Sequence, residues 1–246
     1  MARIFITGSA DGLGHLAAKM LISQGHQVVL HARTVERGRV ALNKIPTAEK
    51  VLIADLSDME DTKMLAAEVN ALGRFDAIIH NAGVYRVSNE LTYAVNSLAP
   101  YILTALIQRP KRLIYLSSGL HLQGNPTLEN QDYDPGMVSY SDSKLQVVML
   151  SMAVARYWPE VYSNAVNPGW VPTKMGGPGA PDDLQKGAET QAWLAVSNEA
   201  NARVSGRYFF HQKEAHFLPA AADASLQDKF LAHCKKISGV KFPVER

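Results

Sequence analysis

"RIFITGSADGLGHLAAKML", residues 3–21, decides the fold. A strand-type run, Ile4–Thr7, meets three glycines, Gly8, Gly12 and Gly14, and an apolar pattern at three- and four-residue spacings follows over 16–25. Strand, tight turn and helix in succession can bring the pyrophosphate of a dinucleotide to a helix N-terminus. Glycine permits close approach there, and unpaired N–H groups and the helix dipole favour negative charge. The glycine intervals of four and two differ from the G-x-G-x-x-G fingerprint, so a turn that only reverses the chain stays open as the plainer reading. Its place on a first strand and a first helix favours the dinucleotide.

Outward from this stretch the same rhythm repeats. Strand-type runs recur at Val28–Ala32, Val51–Ala54, Ala77–His80, Arg112–Leu116 and Ala165–Val166, with helical patterns between them, most plainly at 59–73 and 139–158. Runs such as "VVL" and "AII" are apolar without alternation, as parallel strands covered on both faces require. The expected fold is α/β: a single-domain, Rossmann-type, doubly wound parallel sheet with helices on both faces, spanning 1–246 without repeat or domain linker. Irregular stretches at 119–138 and about 169–190 are candidate substrate-side loops. A closing helix is expected at Ser225–Ile237, while the rest of 211–246 carries no pattern to place.

Composition narrows the partners. With 47% hydrophobic residues in 246, the chain can bury a sizeable core. Its 25 basic and 23 acidic residues nearly cancel, and no lysine or arginine run marks a nucleic-acid or membrane surface, which leaves a small-molecule substrate as the expected partner. One cysteine, Cys234, excludes an intrachain disulfide and a thiolate metal site and fits a reducing cytoplasm. The histidines are scattered, so no metal is expected. No signal-type start and no apolar run of about 18 residues points to secretion or membrane insertion.

"YSDSK" places Tyr140 and Lys144 four residues apart, on one helical face. A solvated helix face is the plain reading of such a pair. The chemical one is that a phenol with pKa about 10 becomes an acid–base group when an ammonium lies near, three units of lowering requiring about 4 kcal/mol. Lys144 and an oxidised nicotinamide together are a source of that stabilisation.

Seven stretches in order, "TGSADGLG" (7–14), "ADL" (54–56), "NAG" (81–83), Asn96 in "YAVNSLAPYILTALI", "LIYLSSG" (113–119), "YSDSK" (140–144) and "NPGWVPTKM" (167–175), resemble the short-chain dehydrogenase/reductase family. The resemblance runs to about residue 210 and is nearest the branch of retinol dehydrogenases and their bacterial relatives. It implies an oxidoreductase in which Tyr140 exchanges the proton, Lys144 lowers its pKa and holds the nicotinamide ribose, Ser118 rather than Ser117 bonds the substrate oxygen, and Asn96 holds a water in a proton relay. A buried Asn96 bonding only backbone is the plainer alternative. The same resemblance implies that Gly8, Ser9, Asp11, Gly12, Leu13 and Gly14 cradle the cofactor. Asp55 and Leu56 would meet the adenine, and Asn81, Ala82 and Gly83 the adenosine ribose. Pro168 and Gly169 would shape a turn from which the Val171 backbone meets the carboxamide and Thr173 the carboxamide or pyrophosphate. A homodimer or homotetramer built partly through the helices containing Asn96 and Tyr140 is also implied, although a buried core helix would look identical.

In "HARTVERGR" (31–39), Ala32 stands where an acid would bond a 2′-hydroxyl, and Arg33 follows it. A guanidinium offers forked bonds to a 2′-phosphate that an acid would repel, so NADP(H) is favoured over NAD(H). A surface role for Arg33, or the same role for Arg37 or Arg39, remains open. His121, Leu122, Tyr133, Trp170, Met175 and Trp193 are candidate pocket residues for a carbonyl or alcohol with an apolar body. A catalytically silent nucleotide sensor, and an epimerase or dehydratase on the same scaffold, are the rival readings.

Overall fold

A computed structural model describes residues 1–126 and 134–244. Its strands are β1 (Arg3–Ile6), β2 (Gln27–Ala32), β3 (Lys50–Ile53), β4 (Ala77–His80), β5 (Arg112–Leu116), β6 (Tyr162–Asn167), β7 (Arg207–Phe210) and β8 (Lys213–Glu214). They form one sheet in the order β3-β2-β1-β4-β5-β6-β7-β8, parallel except for the antiparallel β7–β8 pair. The helices are α1 (Gly12–Ser23), α2 (Val35–Lys44), α3 (Met59–Ala71), α4 (Asn89–Tyr93), α5 (Ala99–Leu106), α6 (Tyr140–Tyr157), α7 (Leu184–Val196) and α8 (Ala224–Ser238), with a π-helical turn, Ala94–Leu98, between α4 and α5.

The unalternated strands divide their residues between two cores. Phe5, Val29, Ile78 and Leu113 face α3, α5, α6 and α8, whereas Ile4, Ile6, Leu30, Ile79 and Ile114 face α1, α2 and α7. Successive residues point to opposite faces, so a strand buried on both sides has no polar position to spare. After β3 the chain crosses back to lay β4 on the free side of β1, and the crevice beyond the carboxyl ends of β1 and β4 is the switch point where such sheets take ligands.

The closing helix lies where expected, as α8. β6 is longer than its apolar pair Ala165–Val166 suggests, because Ser163 and Asn164 are satisfied inside the sheet: Ser163 Oγ donates to Ser151 O at 2.7 Å and Asn164 Nδ2 to Val204 O at 2.7 Å. The apolar length of α6 serves the chain itself. Ser143–Val154 are all buried, and α8 packs over them with Arg156 Nε donating to Gln227 Oε1 at 3.0 Å and Tyr157 OH to Asp228 at 2.7 Å. Tyr101 OH donates to Val240 O at 2.7 Å, and Trp158 stacks on Phe242 with ring centroids 5.0 Å apart. Among the described residues no helix is long and apolar enough to cross a membrane.

Candidate active site

The glycine turn is held from beneath by side chains of neighbouring strands. Gly8 has φ +64, and a β-carbon there would stand 2.8 Å from Ala82 Cα, so a left-handed glycine lets the first and fourth strand ends approach. Thr7 Oγ1 accepts from Asn81 N at 3.0 Å and Ala82 N at 3.1 Å, and Asn81 Nδ2 donates to Thr7 O at 2.9 Å and Gly8 O at 3.1 Å. Gly14 sits against that same Asn81 amide. His31, at the end of β2, accepts from Gly8 N on Nδ1 at 2.9 Å and donates from Nε2 to Ala54 O at 3.1 Å. Burial lowers its pKa to about 4 and keeps it neutral, as an acceptor must be. The sequence reading missed Thr7 and His31.

A cleft of about 370 Å³ opens above this turn. It is lined by Gly8, Asp11, Gly12, Leu13, Arg33, Arg37, Asp55, Leu56, Asn81, Ala82, Gly83, Ser117, Tyr140, Lys144, Pro168 and Thr173, nearly the set expected from sequence. The guanidiniums of Arg33 and Arg37 make no hydrogen bond or ion pair among the described residues, whereas Arg39 pairs with Glu36 at 2.9 Å and does not line the cleft. Asp55 takes Ser57 N and Oγ at 3.0 and 2.7 Å, and, against the raising effect of burial, these bonds and Arg33 hold its pKa low.

Of the expected cofactor residues, Ser9, Gly169 and Val171 do not line the cleft. Ser9 is fully buried, its hydroxyl donating to Ile6 O and accepting from His31 N at 2.9 Å each, so its side chain is spent inside the turn. Asp11 caps α1 by accepting from Gly12 N at 2.9 Å and pairs with Lys174 across the cleft mouth. Gly169 lies against Asp182 and Val171 is buried against Gly187; neither lines the cleft.

Tyr140 begins α6, whose capping box of Ser139 and Asp142 fixes the first turn. Its ring is tilted against Tyr85, centroids 4.6 Å apart. Lys144, one turn on, is buried, with Nζ donating to Leu116 O at 2.9 Å and lying 5.6 Å from the Tyr140 ring centroid. Ser118 lies on the Tyr140 side, near enough to favour its ionised form, whereas Ser117 is buried and donates to Lys144 O at 2.9 Å, the alternation expected of an extended pair. In the unliganded protein burial pushes Tyr140 up to about 12, with neighbouring Ser118 opposing, and desolvation brings Lys144 down to about 8.

Asn96 occupies the π-helical turn, a feature often found at functional sites. Its Oδ1 accepts from Val84 N at 2.8 Å, and Nδ2 donates to Val84 O at 3.0 Å and Ser143 Oγ at 3.1 Å. Both amide hydrogens are used within the chain, one on backbone and one on a side chain. Of the pocket candidates, Met175 lines the mouth of the cleft, Leu122 and Trp170 are exposed outside it, Trp193 packs edge-on against Phe209, and His121 is wholly buried outside the cleft. Tyr133 lies outside the described residues.

With this geometry in view, similarity to known proteins becomes informative. The short chain dehydrogenase model matches residues 2–109. The short-chain dehydrogenase chyC of Penicillium rubens is 40% identical, the match covering 99% of this chain and 100% of that protein. The chain belongs to the short-chain dehydrogenase family. An uncharacterized oxidoreductase of Emericella nidulans is 44% identical over 99% of both chains, and human retinol dehydrogenase 13 is 26% identical over 99% of this chain and 86% of that protein. A crystal structure of an uncharacterized protein from Mycobacterium paratuberculosis superposes with a TM-score of 0.81 at 22% identity, covering 99% of this chain and 95% of that one. This short-chain dehydrogenase is thus an oxidoreductase with the family's Rossmann fold.

Proposed function

We propose that the protein interconverts a carbonyl, aldehyde or ketone, with the corresponding alcohol, using NADP(H). The observation that carries this reading is the convergence of the Tyr140 phenol and the buried Lys144, with Ser118 beside the phenol, in a cleft that also holds Arg33 and Arg37. The cleft suits a dinucleotide: the N-terminus of α1 is offered by a glycine turn, and the two unengaged guanidiniums match a 2′-phosphate. When bound, the reduced nicotinamide supplies the hydride.

The chain's own residues manage the proton. Tyr140, neutral because burial holds its pKa near 12, is the donor to the developing alkoxide in reduction. Ser118 donates a hydrogen bond to the same oxygen and stabilises its charge. Lys144 holds the ribose side of the cleft and is the cation beside the phenolate that remains. Asn96 braces Val84 and Ser143, and so the floor between Gly83 and α6.

The test is a panel of aldehydes, ketones and alcohols followed by the absorbance of the reduced nicotinamide, with Tyr140→Phe as control. Turnover that persists in Tyr140→Phe refutes the acid–base assignment. For the cofactor, Arg33→Ala and Arg37→Ala should each lower the NADP(H) over NAD(H) ratio of kcat/KM by about 10-fold or more, given about 1.5–3 kcal/mol for a hydrogen bond to a charged group. Unchanged ratios in both remove these residues from phosphate recognition.

A further inference from the structure

We propose that His121 and Tyr208 are positioning residues for Ser118, clamping its backbone carbonyl so that its hydroxyl is held toward Tyr140. The inference rests on the role given above to Ser118. That carbonyl accepts from three donors: His121 N at 3.1 Å, the His121 ring Nδ1 at 2.7 Å and Tyr208 OH at 3.0 Å. Three is more than its two lone pairs ordinarily take.

The proton positions follow from the neighbours. Leu218 N donates to His121 Nε2 at 3.2 Å, so Nε2 is the acceptor and the ring hydrogen is on Nδ1. Nδ1–H is then shared between Ser118 O and Tyr208 Oη, 3.1 Å away, while the Tyr208 hydrogen goes to Ser118 O. The two rings pack with centroids 4.5 Å apart. Burial lowers the His121 pKa, which keeps the ring neutral in this arrangement.

Neither side chain touches the cleft: His121 is 0% and Tyr208 3% exposed, and neither lines it. They act through Ser118. The serine is extended, φ −163 and ψ 154, at the step from β5 into the short 3₁₀ turn Gly119–Gln123, and Leu120 N donates to its hydroxyl at 3.2 Å. Fixing the carbonyl fixes the peptide plane and so holds the Ser118 ψ, the rotation that turns the Cα–Cβ bond carrying the hydroxyl. Tyr208 reaches this point from β7, and Leu218 from beyond β8. Residues after 206 thus complete a site whose other parts lie before 176.

Tyr208→Phe keeps the ring and removes the hydroxyl. On a substrate found in the panel it should lower kcat by about 10-fold, since small misplacements of reacting groups cost this much, and leave the Kd of NADPH within about twofold. In a Ser118→Ala background the same change should alter kcat by less than about twofold, because nothing is left to position. His121→Asn, which keeps a donor near Nδ1, should retain more activity than His121→Phe.

A second measurement needs no turnover. In unliganded Tyr208→Phe, amide exchange at Leu120 and His121, resolved by NMR, should accelerate by about 10-fold or more while the exchange of β4 and β5 amides stays within about twofold. Unchanged exchange at Leu120 and His121, or a full effect of Tyr208→Phe on kcat in the Ser118→Ala background, overturns the proposal. A wild-type protein that turns over nothing defeats the carbonyl reading instead and leaves the exchange experiment to decide on the clamp.

Discussion

Replacing Lys144 by methionine should stabilise the unliganded fold while abolishing turnover, and the gain should depend on pH in a calculable way. Lys144 is 4% exposed, its ammonium donates to the backbone carbonyl of Leu116, and burial moves its pKa from 10.5 to about 8. Each pH unit of displacement is worth about 1.4 kcal/mol, so carrying the charge costs the native state about 3 kcal/mol at about pH 7. Between about pH 8 and 10.5 the unfolded chain binds more protons at this site than the folded one, so wild-type stability rises with pH through this window as the penalty is relieved. At about pH 9.5 only about 1.4 kcal/mol of it should remain. Methionine also leaves Leu116 O without its donor, a loss of about 1–3 kcal/mol that hardly varies with pH. The stability difference between Lys144→Met and wild type should therefore move by about 2 kcal/mol in favour of wild type between about pH 7 and 9.5. Urea unfolding of both proteins at both pH values measures it, since other titrations cancel in the difference. A difference constant within about 0.5 kcal/mol refutes the reasoning, because the ammonium would then be as well solvated as in the unfolded chain.

Other outcomes follow from the same contacts. Gly8→Ala should destabilise by about 2–4 kcal/mol in denaturant unfolding and abolish cofactor binding, combining left-handed strain with a β-carbon forced 2.8 Å from Ala82 Cα. Trp158→Ala should cost about 3–5 kcal/mol, because a fully buried indole stacked on Phe242 and donating to Pro243 O is lost. Acid should destabilise the fold between about pH 6.5 and 4: His31 is buried neutral with its pKa lowered to about 4, so the unfolded chain takes up its proton first and stability falls as pH falls. His31→Asn should flatten that part of the stability profile; an unaltered profile assigns the acid loss elsewhere.

The fold was legible where burial imposes a pattern. Strands covered on both faces read as unbroken apolar runs, and Gly8 announced the left-handed turn that its φ of +64 shows. The face shared by Tyr140 and Lys144 follows from helical spacing alone. β7 gave no signal, and β6 was cut short, because Ser163 and Asn164 interrupt the apolar pattern with partners at residues 151 and 204 that sequence does not place nearby. His31 and Tyr208 were equally hidden. The contact of His31 with Gly8 spans 23 positions and that of Tyr208 with Ser118 spans 90, and neither residue type nor spacing encodes such a meeting. Sequence also shows the cation beside Tyr140 but not the depth of the burial that raises the phenol's pKa in the unliganded protein.

The helix that carries the phenol and the ammonium is roofed by α8 and by Val240 and Phe242 of the same polypeptide. Its shelter is intramolecular, so the contacts that keep it straight are present at any dilution. Trimming the last twenty or so residues would strip that roof and bare apolar surface of the buried α6 core, so a chain cut there should aggregate where the intact one does not.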